Sequence, residues 1–179
     1  MIFFQAKAKN KDIWAPESNE SMNSFYLLIG GNEGDREAAL SEARAQIETT
    51  GAIRQVSSLY ETAPWGRTDQ PWFLNQALRL ETAADAPALL GILLHIEERM
   101  GRKRLEKYGS RRIDIDILFF NDAIVRLPNL VIPHPEIANR RFVLEPMNEI
   151  SPDYRHPVLH LSVRELLLAC TDPLEVKKL

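Results

Sequence analysis

Residues 25–51 read FYLLIGGNEGDREAALSEARAQIETTG, and the fold class turns on this stretch. Phe25 to Ile29 is an apolar run of strand length that breaks at Gly30-Gly31-Asn32. Leu40, Ala43 and Ile47 then keep helical spacing until Gly51 stops the helix. The reading is strand, turn, helix.

Toward the C-terminus, Ile53 to Tyr60 and Phe73 to Leu80 are two further strand candidates. The loop between them holds Pro64, Gly66 and Pro71, which is too long for a tight hairpin. Pro87 sits near the start of a second helix that runs to Met100, with Leu89, Leu90, Leu93, Leu94 and Ile96 as its apolar stripe and Gly101 as its stop. Ile113 to Phe120 is the next strand. The order β-α-β-β-α-β predicts an α+β fold of the ferredoxin-like kind, an antiparallel sheet with helices on one face. Additional C-terminal elements are expected to be irregular, apart from a short helix near Val163 to Ala169. Upstream, residues 1–22 carry no helical or strand period and read as a poorly ordered extension, leaving residues 23–179 as one domain.

Composition narrows the function classes. At 179 residues with 45% hydrophobic content the chain suits one ordinary core. The 22 Lys and Arg against 25 Asp and Glu leave a net charge of -3, which disfavours wholesale binding to nucleic acid or to a membrane surface. Phosphate handling is therefore expected to be local. The single cysteine, Cys170, lies in an apolar stretch and reads as a buried thiol without chemistry. No apolar run approaches the roughly 20 residues of a bilayer span, and no signal peptide is legible, so a cytoplasmic location is expected. The chain is expected to act as a monomer.

Chemistry concentrates in Arg111-Arg112-Ile113-Asp114-Ile115-Asp116-Ile117-Leu118. Strand alternation puts Asp114 and Asp116 on one face and the three isoleucines on the other. Their Cβ atoms are then roughly 6.5 Å apart, a spacing from which converging oxygens could hold a metal pair about 4 Å apart. Hard oxygen ligands suit Mg²⁺. The alternative on spacing alone is an exposed edge of an amphipathic strand. Glu97 shares the stripe of Leu90, Leu93 and Leu94 and needs a polar partner, either a core-edge ion pair or a site at the helix end. Seven of the basic residues fall between Arg99 and Arg112, namely Arg99, Arg102, Lys103, Arg104, Lys107, Arg111 and Arg112. Such a loop either grips phosphate or is simply solvated. In Pro71-Trp72-Phe73-Leu74-Asn75-Gln76, period two sets an aromatic plate beside an amide, an arrangement that suits a planar heterocycle but also an ordinary core edge. Pro133-His134-Pro135 and Asn139-Arg140-Arg141-Phe142 add a histidine, arginines and an aromatic with no regular pattern.

Together these segments resemble the 6-hydroxymethyl-7,8-dihydropterin pyrophosphokinases of folate biosynthesis. The resemblance runs from about Tyr26 to Ser151 and includes Ile29-Gly30-Gly31-Asn32, Tyr60-Glu61-Thr62-Ala63-Pro64, Asp69-Gln70-Pro71 and the segments quoted above. It implies an ATP-dependent transferase that moves diphosphate to the pterin hydroxymethyl group and releases AMP. Asp114 and Asp116 would bind two Mg²⁺ ions, and Phe73 and Phe142 would sandwich the pterin ring. Asn75 would read the ring edge, with Thr62 and Trp65 giving mainly backbone contacts. Glu97, Arg111, His134 and Arg140 would serve ATP, Arg102 and Arg104 would belong to a catalytic loop, and Tyr108 would be that loop's aromatic. Asp116 is also a candidate to assist deprotonation. Gly31 stands where the family commonly has serine, and Phe73 where tyrosine is frequent. The alternatives are another two-metal nucleotidyl or phosphoryl transferase on a ferredoxin-like fold, or a non-catalytic ligand-binding module.

Overall fold

The computed structural model describes residues 22–66, 69–102 and 109–179. The N-terminal extension read from sequence lies outside these apart from Met22, as do Lys103, Arg104, Lys107 and Tyr108 of the basic loop.

The first unit forms as its periodicity predicts. Strand β1 (Asn23–Gly31) leads to helix α1 (Arg36–Glu48), whose N-cap Asp35 accepts from the Ala38 amide at 3.0 Å. Strand β4 (Phe73–Thr82) pairs antiparallel with β1 along its whole length, from Asn23 opposite Thr82 to Gly31 opposite Leu74. Helix α2 (Ala86–Arg99) repeats the local logic, with Asp85 as N-cap and a proline in its first turn. Strand β5 (Asp114–Phe120) closes the other side of β1, also antiparallel. Ile115 and Ile117 join Phe25, Leu27 and Ile29 against Leu40, Ala43 and Ile47 of α1 and Leu89, Leu93 and Ile96 of α2. Each of these larger side chains, Ala43 apart, stabilises the fold by about 1.5–3 kcal/mol when fully buried.

Three departures from the sequence reading matter. The strand expected from Ile53 to Tyr60 is two, β2 (Ala52–Val56) and β3 (Tyr60–Thr62), laid along successive halves of β4. The break is held by Ser57, whose amide donates to the Ala77 carbonyl while its hydroxyl accepts from the Ala77 amide, both at 2.9 Å. A side-chain oxygen standing in for a backbone one interrupts the ladder without orphaning a donor.

The second departure is in β5, where the register shifts between Tyr26 and Leu27 of its partner. Ile117 faces α1 and α2, whereas Phe119 belongs to the core on the opposite face. A bulge inverts the alternation.

The third is the opposite face itself. Helices were expected on one face, but α3 (Arg141–Ile150) and α4 (Val163–Ala169) cover the other. Val143, Leu144, Met147, Val163 and Leu166 pack on Tyr26, Leu28, Ala77 and Phe119 there. Sequence reasoning finds α4, which carries its own Ser162–Glu165 capping box, and misses α3. Pro146 inside α3 and an N-cap residue, Arg140, whose side chain makes no capping bond disguise it. Between β5 and α3 lie the hairpin β6 (Val125–Leu127) and β7 (Leu130–Ile132) and one 3₁₀ turn. The last strand, β8 (Val176–Lys178), adds to the free edge of β3, giving the order β5-β1-β4-β3-β8 with β2 also on β4. Cys170 is buried and free. Among the described residues no helix is long and apolar enough to cross a membrane.

Gly31 shows how tightly β1 is wedged at its C-terminal end. A Cβ there would lie 2.2 Å from the Arg112 carbonyl oxygen, a backbone atom that cannot swing away. Gly31→Ser is therefore expected to destabilise the fold by about 1–3 kcal/mol. Urea unfolding checks this, and a midpoint equal to that of the parent chain would mean the two backbone segments separate freely.

Candidate active site

At the C-terminal end of β1 the sheet leaves a cleft of about 380 Å³ on the α3 side. Its floor is made where three strands meet, since Gly30 lies opposite Asn75 of β4 and opposite Asp114 of β5. A Cβ on residue 30 would sit 2.1 Å from Asn75 Oδ1, so the amide can lie across β1 only over a glycine. Asn75 Nδ2 donates to Thr62 Oγ1 at 2.8 Å, which orients the amide, and both residues are buried. Phe73, Thr62 and Trp65 line the same side of the cleft, and Phe142 enters from α3.

Asp114 and Asp116 both line the cleft, as alternation requires. Asp114 is gripped from two directions: Oδ1 pairs with Arg102 Nη1 at 2.5 Å, and Oδ2 with Arg111 Nη1. Behind them Glu97, only 2% exposed, pairs through Oε1 with Arg102 Nη1 and accepts from the Ile115 amide at 2.7 Å. Glu97 is thus tied to β5 and to an arginine, and it is not among the residues lining the cleft. Burial pushes its carboxyl up, Arg102 opposes that, and the Asp114 charge adds to it. Burial also pushes Asp116 up, to about 7, and the negative charge of Asp114 adds to the rise against the pull of Arg140 and Arg111.

The cations have capacity to spare. Arg140 stacks its guanidinium 4.5 Å from the Trp65 ring centroid and 5.8 Å from that of Phe142, while Arg111 lies 5.5 Å from Phe73. Arg111 Nε and Arg140 Nε are buried without a hydrogen-bond partner. Buried orphan donors on two arginines of one cleft call for an anion. His134 lines the cleft beside them, and burial together with Arg140 keeps its imidazole below the usual range and hence neutral. Its Nδ1 accepts from the Glu136 amide at 3.3 Å, which leaves the ring proton on Nε2.

Carboxylates and arginines together fit a hard divalent cation bound with a phosphate. Among the described residues no three His, Cys, Asp or Glu side chains cluster as a metal site. A cation held by one or two carboxylates plus substrate phosphates does not need such an all-protein cage.

Sequence reasoning names most of these residues but misses what holds them. Asn32, buried at the end of β1, donates through Nδ2 to the Pro71 carbonyl at 3.0 Å and accepts through Oδ1 from the Arg111 amide at 2.9 Å. Its own amide donates to the Arg111 carbonyl at 2.9 Å. One side chain therefore pins the loop before Phe73 and the loop before Asp114. Arg36 does the same for Trp72, donating to its carbonyl at 2.9 Å while paired with Glu61. The signal for Asn32 was the Gly-Gly-Asn turn; for Arg36 none existed locally.

Asp116 supplies a pH test. Its folded pKa is raised from 3.8 to about 7, so the stability it favours is present below the unfolded pKa and is lost as pH rises through about 7. In Mg²⁺-free buffer the unfolding free energy is expected to fall over that window. Asp116→Asn should flatten the fall and gain on the order of 2 kcal/mol at about pH 8. Denaturant titrations across pH decide it, and an unaltered slope in the variant rules out this origin.

A family model described as 7,8-dihydro-6-hydroxymethylpterin-pyrophosphokinase matches residues 26–152. A protein of Methylorubrum extorquens named 2-amino-4-hydroxy-6-hydroxymethyldihydropteridine pyrophosphokinase is 44% identical over 134 residues, spanning 74% of this chain and 85% of the relative. Its namesake in Bacillus subtilis is 41% identical over 130 residues, spanning 72% and 78%. Among solved structures, wild-type Plasmodium falciparum HPPK-DHPS with pteroate is similar in fold, with a TM-score of 0.68 at 19% identity over 83% of this chain. The present chain spans 44% of that protein's length.

Proposed function

Because the chain belongs to the 7,8-dihydro-6-hydroxymethylpterin-pyrophosphokinase family, we propose that it transfers the diphosphate of ATP to the hydroxymethyl group of 6-hydroxymethyl-7,8-dihydropterin, releasing AMP, in folate biosynthesis. The observation that carries this reading is one cleft in which the Asp114, Asp116 and arginine cluster adjoins the Phe73, Asn75 and Phe142 group. The first half suits polyphosphate and the second a flat heterocycle.

Asn75 and Thr62 are the pterin readers. Asn75 spends one amide hydrogen on Thr62, so its remaining donor and its carbonyl are held in a fixed direction over Gly30. Phe73 and Phe142 supply the stacking faces and Trp65 the adjoining wall. At the phosphate end, Arg111, Arg140 and neutral His134 donate to the nucleotide oxygens. Arg102 is aimed by Glu97, which we assign as a positioning carboxylate beside the nucleotide. Asp114 and Asp116 would hold two Mg²⁺ ions, which supply charge neutralisation on the phosphates when bound.

The pterin hydroxyl oxygen then attacks the β-phosphorus in line, the bond to the α-phosphate oxygen breaks, and AMP leaves. The residues' share is alignment and electrostatic stabilisation. Asp116 is the carboxylate we assign to receive the hydroxyl proton. Arg104, also assigned to the catalytic loop, lies outside the described residues.

The β1-α1-β2-β4-α2-β5 portion is assigned to the ferredoxin-like arrangement, supported by the order β5-β1-β4-β2 and by α1 and α2 sharing one face. Residues 23–179 are taken as the catalytic unit. A nucleotidyltransferase would have no use for the oriented Asn75–Thr62 pair, which disfavours that rival.

Pterin-dependent release of AMP from ATP should require Mg²⁺, and Asp114→Ala should lower the rate on the order of 10³-fold. Chromatographic AMP assays with each component omitted provide the check. AMP that forms equally without pterin removes the substrate assignment.

A further inference from the structure

Residues 172–179 lie beyond the 26–152 stretch that matches the family, yet they touch both walls of the aromatic slot. On one wall β8 pairs antiparallel with β3, setting Lys178 opposite Tyr60 and Val176 opposite Thr62. The Ala63 amide donates to the Glu175 carbonyl at 3.0 Å, and the Leu179 amide to the Leu59 carbonyl at 2.9 Å. Because β3 spans only Tyr60 to Thr62, its hold on β4 is short, and β8 supplies its second ladder.

On the other wall, α3 begins at Arg141 without a capping side chain from Arg140. The cap comes from Asp172, whose Oδ2 accepts from the Arg141 amide at 3.0 Å and whose Oδ1 accepts from the Leu174 amide at 3.2 Å. The Arg141 guanidinium returns the contact, donating to the carbonyls of Asp172 at 3.2 Å and Cys170 at 3.0 Å. Arg141 is thereby locked between Arg140 and Phe142, which line the cleft. The two attachments meet at Glu149 of α3, which pairs with Lys178 at 3.2 Å and accepts from Tyr60 Oη at 2.8 Å.

We propose that residues 172–179 form a clasp that sets the positions of the Thr62–Ala63 wall and the Arg140–Phe142 wall relative to each other, with Asp172 as a positioning residue for the planar heterocycle between them. This rests on the pterin reading of the slot. A flat ring stacked between two walls tolerates little error in their separation, and a misplacement of about 1 Å can cost on the order of 10²-fold in rate. Asp172 touches no substrate and acts through Arg141 and the start of α3. Asp114 and Asp116 lie on β5, with Arg111 just before it, so the metal end of the cleft lies apart from the clasp, and of the phosphate donors assigned above Arg140 sits on a clasped wall while Arg111 and His134 do not.

The test compares wild type, Asp172→Ala, Asp172→Asn and a chain ending after Leu174, all well below their melting temperatures. Dissociation constants for 6-hydroxymethylpterin and for Mg·ATP are measured separately. Asp172→Ala is expected to weaken pterin binding about tenfold, the size of a lost helix cap written as an equilibrium. ATP affinity should change less, and Asp172→Asn, whose one acceptor oxygen can cap the Arg141 amide but leaves the Leu174 amide unpaired, should recover most of the lost pterin affinity, to within about threefold of wild type. The shortened chain, which keeps Asp172 but lacks β8, should also lose pterin affinity and decides the matter if Asp172→Ala does not fold. Melting temperatures that drop while pterin affinity stays at the wild-type value in the folded variants would falsify the clasp and leave the segment a stabilising element. A wild type that binds no pterin at all overturns the functional reading, and the clasp's stated role with it.

Discussion

The interaction on which the rest of the site depends is the double grip of Arg102 and Arg111 on Asp114. Asp114, Asp116 and Glu97 would repel one another strongly if left unpaired, and burial already disfavours the ionised forms of Asp116 and Glu97. Arg102 bridges Glu97 and Asp114, and Arg111 takes the other Asp114 oxygen, so acids and bases alternate through the cluster. Removing one member leaves another buried charge uncompensated, which is costlier than the pair itself is stabilising. The arrangement also holds the polar groups in place before any substrate arrives, which is how a site stabilises developing charge without reorganising.

That cluster stands on backbone proximity at the end of β1. Gly30 lets Asn75 cross the strand, Gly31 lets the Arg112 carbonyl approach, and Asn32 ties both neighbouring loops by hydrogen bonds. Three consecutive small or amide residues thus bring the heterocycle-reading side chains on β4 and the carboxylates on β5 to one floor. Larger side chains would force apart strands that must sit one ladder spacing from each other.

The second helical layer completes the cleft. Helices α1 and α2 bury one face of the sheet and support the site from behind through Arg36 and Glu97, whereas α3 on the opposite face brings Arg140 and Phe142 to its mouth. A sheet covered on both faces has a well-anchored floor. The roof depends on elements far along the chain, and the short strand β3 depends on β8 for its outer ladder.

Much of this was legible from residues close together in the chain. Alternation through Ile113–Ile117 set Asp114 and Asp116 on one face, helical spacing set Glu97 on the buried stripe with Leu93 although Leu94 of the expected stripe is exposed, and the Phe73–Asn75 spacing set the aromatic beside the amide. These follow from periods of two and 3.6, which neighbours two to four residues apart encode. The break at Ser57, the bulge in β5, helix α3 and the partner of Glu97 were not legible. Ser57 answers to Ala77, and α3 is capped by an aspartate 31 residues after its first residue, with Pro146 inside it arguing locally against any helix. A hydrogen bond between distant residues leaves no period in the sequence, so local order could be read from the chain, while the pairing that turns ordered segments into one cleft arose only when the chain folded.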